Sequence, residues 1–126
     1  MNNNGKKTVL MVDDDSFLRN LYRDKFEKEG FEFIEATSGI EGMNKITNEN
    51  PDVVILDILL PMRSGFDILE EMNESGMITE IPVIILSNLR QDVDIEEGRR
   101  LGAKDYFIKS ETNMSDFMER VKEFLY

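Results

Sequence analysis

The chain has 126 residues, enough for one ordinary domain with a sizeable core and too few for two. It carries 26 acidic against 15 basic side chains, a formal net charge of −11 that repels a nucleic-acid backbone, and it contains neither Cys nor His. Disulfide scaffolds, thiolate metal sites, cysteine nucleophiles and all chemistry needing an imidazole are excluded, which leaves carboxylates, hydroxyls and lysines.

Residues 1–7, with three consecutive Asn, read as a flexible terminus ahead of a single domain over 8–126. Met1–Val12 lacks the layout of a signal peptide, and the apolar runs Val53–Leu56 and Val83–Leu86 fall far short of the roughly 18 residues of a membrane span. A cytoplasmic protein with neither a membrane nor a nucleic-acid partner is therefore expected. Thr8–Val12 predicts a strand, and Phe17, Leu18, Leu21, Tyr22 and Phe26 share one helical stripe that stops near Gly30, with Asp15 and Ser16 suited to capping its start. Phe31–Ala36 predicts a second strand, and Ile40, Met43 and Ile46 a second helix broken at Asn50–Pro51. Val53–Leu56 has the continuous aliphatic character of a parallel strand covered on both faces. Phe66, Ile68, Leu69 and Met72 suit a third helix ending near Ser75–Gly76, before a second doubly covered strand at Val83–Leu86. Gln91–Leu101 is polar, with Val93, Ile95 and Leu101 to bury and Gly102 as a C-terminal cap. Tyr106–Ile108 is the fifth strand, and Met114, Phe117, Met118, Val121, Phe124 and Leu125 form the last helical stripe. Five βα units joined by right-handed crossovers imply a doubly wound α/β fold, an open five-stranded parallel sheet with helices on both faces.

In such sheets the functional crevice lies beyond the carboxyl ends of the strands. Asp13, Asp14 and Asp15 follow strand one, Asp57 strand three, Ser87 strand four and Lys109 strand five. Carboxylates gathered in one pocket repel one another unless a hard cation or an ammonium compensates, and Mg2+ suits two carboxylates, a carbonyl and water. A carboxylate beside Mg2+, a lysine and a hydroxyl is equipped to accept a phosphoryl group, because the cations neutralise charge on the transferring oxygens. Ser87 and Lys109 are placed to contact two of those oxygens.

The segments VLMVDDDS at 9–16, VVILDILLPMRSG at 53–65, PVIILSN at 82–88 and GAKDYFIKS at 102–110 resemble the receiver domain of bacterial two-component response regulators, of the single-domain chemotaxis and sporulation-regulator type. The separations of 43 residues from Asp14 to Asp57, 30 to Ser87 and 52 to Lys109 are similar to the family's. The resemblance implies a flavodoxin-like strand order 2-1-3-4-5. It implies Asp57 as phosphoacceptor, with Mg2+ held by Asp14, Asp57 and the Leu59 carbonyl and by Asp13 through water. It further implies Ser87 and Tyr106 as switch residues and Lys109 as the phosphoryl-binding lysine. The protein is then a stand-alone phosphoacceptor switch in a phosphorelay and not a metabolic enzyme, although it assists its own phosphorylation and dephosphorylation. Its partners are a sensor histidine kinase or phosphotransfer protein and an output protein that the sequence does not identify, and the family allows a phosphorylation-dependent dimer.

Some residues depart from the family. Ser110 stands where proline is common, predicting either a trans Lys109–Ser110 bond with a shifted loop or a cis bond that costs roughly 2.5–4 kcal/mol. Asn88 replaces a small residue, while Leu59 and Leu89 put apolar bulk near the pocket mouth, an arrangement expected to slow hydrolytic water. These departures leave a phosphorylation-independent protein-binding module as the alternative. A Mg2+-dependent phosphatase fits the acidic run poorly, and an FMN carrier would need a phosphate-binding loop where this chain has an anion-repelling cluster.

Overall fold

The computed structural model describes residues 5–126. Of the expected flexible terminus at 1–7, residues 1–4 lie outside the described residues; Gly5, Lys6 and Lys7 are exposed, and the Lys7 carbonyl already accepts the Glu32 amide at 2.9 Å. Five strands, β1 (Thr8–Val12), β2 (Glu32–Ala36), β3 (Val53–Leu56), β4 (Val83–Ser87) and β5 (Asp105–Ile108), form one parallel sheet in the order β2-β1-β3-β4-β5. The helices are α1 (Ser16–Lys28), α2 (Gly39–Glu49), α3 (Gly65–Ser75), α4 (Asp92–Arg100) and α5 (Met114–Lys122), with short 3-10 turns at Met77–Thr79 and Lys109–Glu111. No helix among the described residues is long and apolar enough to cross a membrane.

The alternation of side chains along each strand divides the core in two. Leu10, Val12, Val54, Leu56, Val83 and Ile85 face one layer, completed by Met43 and Ile46 of α2 and Ile68, Leu69 and Met72 of α3. Val9, Met11, Val53, Ile55, Ile84 and Leu86 face the other, completed by Tyr22 and Phe26 of α1 and Phe117, Met118 and Val121 of α5. Aliphatic runs in β1, β3 and β4 are thus consistent with a sheet covered on both sides.

Helix boundaries follow local chemistry. The Asp15 carboxylate caps α1 by accepting the amides of Phe17 and Leu18, while Ser16 is the first helical residue. Ser64 and Asp67 exchange side-chain and backbone hydrogen bonds in a capping box at the start of α3. Asn50 ends α2 in the left-handed conformation, as expected of the Asn–Pro break. The apolar stripes expected from spacing are wider than the faces that pack: Phe17 and Leu21 are exposed on α1, where only the side bearing Tyr22 and Phe26 reaches the core, and Val93 is exposed on α4. Phe31 precedes β2 rather than opening it, and Ser87 belongs to β4.

Candidate functional site

Strand register gathers the chemistry at one edge. Val12 of β1 pairs with Leu56 of β3, so Asp13 and Asp57 each take the next position, and the Asp57 amide continues the ladder to the Val12 carbonyl at 3.0 Å. Ser87 closes β4 opposite Ile108, and Lys109 follows at once on β5. Asp13, Asp57 and Ser87 are the buried polar residues among those described. Gly65 lets the first turn of α3 press against the Asp57 loop: a Cβ there would lie 2.4 Å from the Asp57 carbonyl oxygen and 2.8 Å from Ile58 Cα.

The Lys109 ammonium lies between the buried carboxylates, donating to Asp57 Oδ2 at 2.7 Å and lying 2.8 Å from Asp13 Oδ2. The latter is an ion pair without hydrogen-bond alignment, so Asp13 Oδ2 is buried with the ammonium as its counter-charge and accepts no hydrogen bond. Asp13 Oδ1 accepts the Asp15 amide at 2.9 Å, and Asp57 Oδ1 accepts the Leu59 amide at 3.1 Å. Burial pushes the Asp13 carboxyl above its ordinary range, and the Asp57 charge adds to this; the Lys109 ammonium and the Asp15 amide oppose the shift without cancelling it. Burial also works against the Lys109 ammonium, but the close carboxylates of Asp13 and Asp57 outweigh it and raise its pKa.

Asp14 is exposed, yet one carboxylate oxygen from each of Asp13, Asp14 and Asp57 lies within 4.8 Å of the others. Hard oxygen donors around a buried carboxylate oxygen that accepts no hydrogen bond fit a small divalent cation such as Mg2+. Ser87 Oγ accepts the Leu89 amide at 3.2 Å, and the Tyr106 hydroxyl donates to the Leu89 carbonyl. Burial, assisted by the charges of Asp94 and Asp57, pushes the Tyr106 phenol up to about 12, so it is a donor at neutral pH.

Of the two leucines expected at the mouth, Leu59 is 54% exposed whereas Leu89 packs against the core. The Lys109–Ser110 bond is trans, there being no cis peptide among the described residues, and Lys109–Glu111 forms a 3-10 turn. Arg19 escaped the reading of the sequence: its guanidinium donates to the Asp13 carbonyl at 2.8 Å and to Glu35 at 2.8 Å, bracing the acidic loop against β2. Nothing local to α1 signals this, because Glu35 comes from a strand sixteen residues on.

Residues 9–122 match the family described as the response regulator receiver domain. The polar-differentiation response regulator DivK of Brucella ovis is 30% identical over 119 residues, covering 94% of this chain and 96% of that protein. A probable transcriptional regulator, ycf27 of Guillardia theta, is 35% identical over 104 residues; the match covers 82% of this chain but 40% of that longer protein. Among solved structures, a CheY-like response regulator receiver domain from Methanospirillum hungatei superposes with a TM-score of 0.87 at 29% identity, covering 96% of this chain and 94% of that one. The receiver domain of the Francisella response regulator 1452 gives a TM-score of 0.86 at 30% identity, covering 94% and 96%.

Proposed function

The chain belongs to the response regulator receiver domain family, whose members are phosphoacceptor signalling domains, and from that premise we propose that Asp57 is the residue phosphorylated. The observation that carries this reading is the Lys109 ammonium held 2.7 Å from a buried carboxylate oxygen of Asp57, with the Ser87 hydroxyl at the end of the neighbouring strand. A carboxylate so placed is a nucleophile with a counter-charge already aligned for the group it receives.

The donor is a phosphohistidine on a sensor histidine kinase or phosphotransfer protein. An Asp57 oxygen attacks phosphorus, the P–N bond breaks, and its electron pair leaves with the donor imidazole, which takes up a proton. Lys109 neutralises one phosphoryl oxygen and the Ser87 hydroxyl donates to another. Asp13, Asp14, Asp57 and the Leu59 carbonyl would hold Mg2+, Asp13 by way of water, and bound there the ion supplies further neutralisation of phosphoryl charge. Ser87 Oγ accepts the Leu89 amide and the Leu89 carbonyl accepts the Tyr106 hydroxyl, so a Ser87 that turns towards the phosphoryl group draws on the loop that anchors Tyr106. Modification of Asp57 thus reaches the surface formed by α4 and β5, where an output partner reads it. Leu59, exposed beside the mouth, hinders the water that would hydrolyse the acyl phosphate.

Intact mass after incubation with phosphoramidate and Mg2+ tests this proposal. One added phosphoryl group is expected on the native chain, with none on Asp57→Asn and none in excess chelator. A folded, Mg2+-binding native chain that gains no phosphoryl group would move the function to a phosphorylation-independent binding module.

A further inference from the structure

Two residues that set this sequence apart, Asn88 and Ser110, are two halves of one contact. Asn88 follows Ser87 at the start of the β4–α4 loop, and its side-chain oxygen accepts the Ser110 backbone amide at 3.1 Å across 22 residues of sequence. Ser110 lies within the 3-10 turn that begins at Lys109. The first amides of such a turn have no partner inside it, and no side chain caps this one from Ile108. Asn88 supplies from another loop what a local cap would normally supply. A proline at 110 has no amide hydrogen to donate, so the contact needs both residues as they stand.

A second tie runs beside the first. The Arg90 guanidinium pairs with Glu111 and donates to Ser110 Oγ at 3.4 Å. Both charged partners are exposed, so this pair contributes little beside the backbone bond. On the other side of the turn, the Thr112 amide donates to the Lys109 carbonyl at 3.4 Å and the Thr112 hydroxyl to the Ile108 carbonyl. The loop carrying Lys109 is thereby tied to the loop that starts at Ser87.

We propose that Asn88 is a positioning residue for Lys109, acting through the Ser110 amide and holding the ammonium between Asp13 and Asp57. This role rests on Asp57 being the phosphoacceptor. Lysine has a long stem with substantial rotamer freedom, and fixing its backbone restricts the volume its ammonium explores. Asn88 donates to and accepts from none of the candidate metal ligands, so its loss reaches them only through Lys109: phosphoryl transfer slows, while a looser ammonium competes less with Mg2+ for Asp13 and Asp57.

The test compares the native chain, Asn88→Ala and Asn88→Asp. Hydrogen exchange at the Ser110 amide and the Lys109 Cε resonance, assigned through its loss in Lys109→Arg, report the contact without any phosphodonor. Phosphorylation by phosphoramidate at saturating Mg2+ and a Mg2+ titration report its consequence. In Asn88→Ala the Ser110 amide is expected to exchange faster and the Lys109 signal to move towards those of surface lysines. Its phosphorylation should slow roughly three- to tenfold, the span of one neutral hydrogen bond, with a Mg2+ affinity no weaker than that of the native chain. Asn88→Asp keeps the acceptor and should retain the amide protection and the Lys109 signal. A native chain that is phosphorylated while Asn88→Ala matches it in rate and in the Lys109 signal overturns this role alone. A slowed rate with an unmoved Lys109 signal or a weakened Mg2+ affinity also overturns it. A native chain that is never phosphorylated overturns the phosphoacceptor reading and this role with it.

Discussion

Lys109 lies between two buried carboxylates whose like charges repel each other. Asp13 is fully buried and Asp57 nearly so, and the ammonium is the counter-charge that the protein itself supplies. Removing one partner of a buried ionic group leaves the others uncompensated, which costs far more than the group contributed when intact. In metal-free buffer Lys109→Met is expected to lose about 3 kcal/mol of stability by urea denaturation, and Asp13→Asn added to it to recover a substantial part. At this scale the sequence was most informative. Asp13, Asp57 and Lys109 each end an apolar run, and a parallel sheet brings such positions to one edge whatever the details of its helices. The sequence alone did not divide labour within Asp13-Asp14-Asp15. The structure does so by burial: Asp13 continues the strand into the pocket, Asp14 stands exposed beside it, and Asp15 turns to cap α1. Arg19 and the Asn88–Ser110 contact were not legible, since each depends on a partner from a distant loop or strand.

Among the elements, α4 was the hardest to anticipate because its buried face is made by a missing side chain. Gly98 lets the helix lie against the sheet: a Cβ there would come within 2.6 Å of Ile85 Cδ1 and 3.1 Å of the Tyr106 ring. Pattern reading looks for apolar residues and passes over a glycine, so Val93 was assigned to the core and is instead exposed. In an open helix, replacing Gly by Ala gains about 1 kcal/mol. Here the added methyl meets a filled interior, and Gly98→Ala is expected to destabilise the protein by about 1–3 kcal/mol in thermal or urea unfolding, with a changed environment at Tyr106. The misreading of α1 has a different cause. Phe17 and Leu21 satisfy helical spacing, but the arc facing the sheet is set by Tyr22 and Phe26, whose rings meet Phe117 and Phe33. Spacing identifies a stripe; the sheet decides how wide a stripe it covers.

Across the whole molecule, an acidic chain pairs its arginines with its own carboxylates. Arg19, Arg23, Arg63, Arg90, Arg99, Arg100 and Arg120 each form an ion pair within the protein. Glu35 on the edge strand β2 receives two of them, which fastens α1 to that edge. Burial works against its ionisation, but the hydrogen bonds from Arg23 and Arg19 prevail and hold its carboxyl below the ordinary range. A group with a lowered folded-state pKa stabilises above its unfolded value and loses that contribution as pH falls through the folded one. Glu35→Gln should therefore melt about 2–4 °C below the native chain at pH 7, with the gap closing as pH falls below the ordinary carboxylate value of 4.5. The sheet order carries a further consequence. Asp57 directly follows the central strand, whereas the lysine that faces it arrives with the strand at the far edge, 52 residues later. A chain still emerging from the ribosome thus carries Asp57 long before the opposite wall of its pocket, and the pocket closes only when the last strand docks. A closed pocket in this domain is thus a certificate of completed assembly.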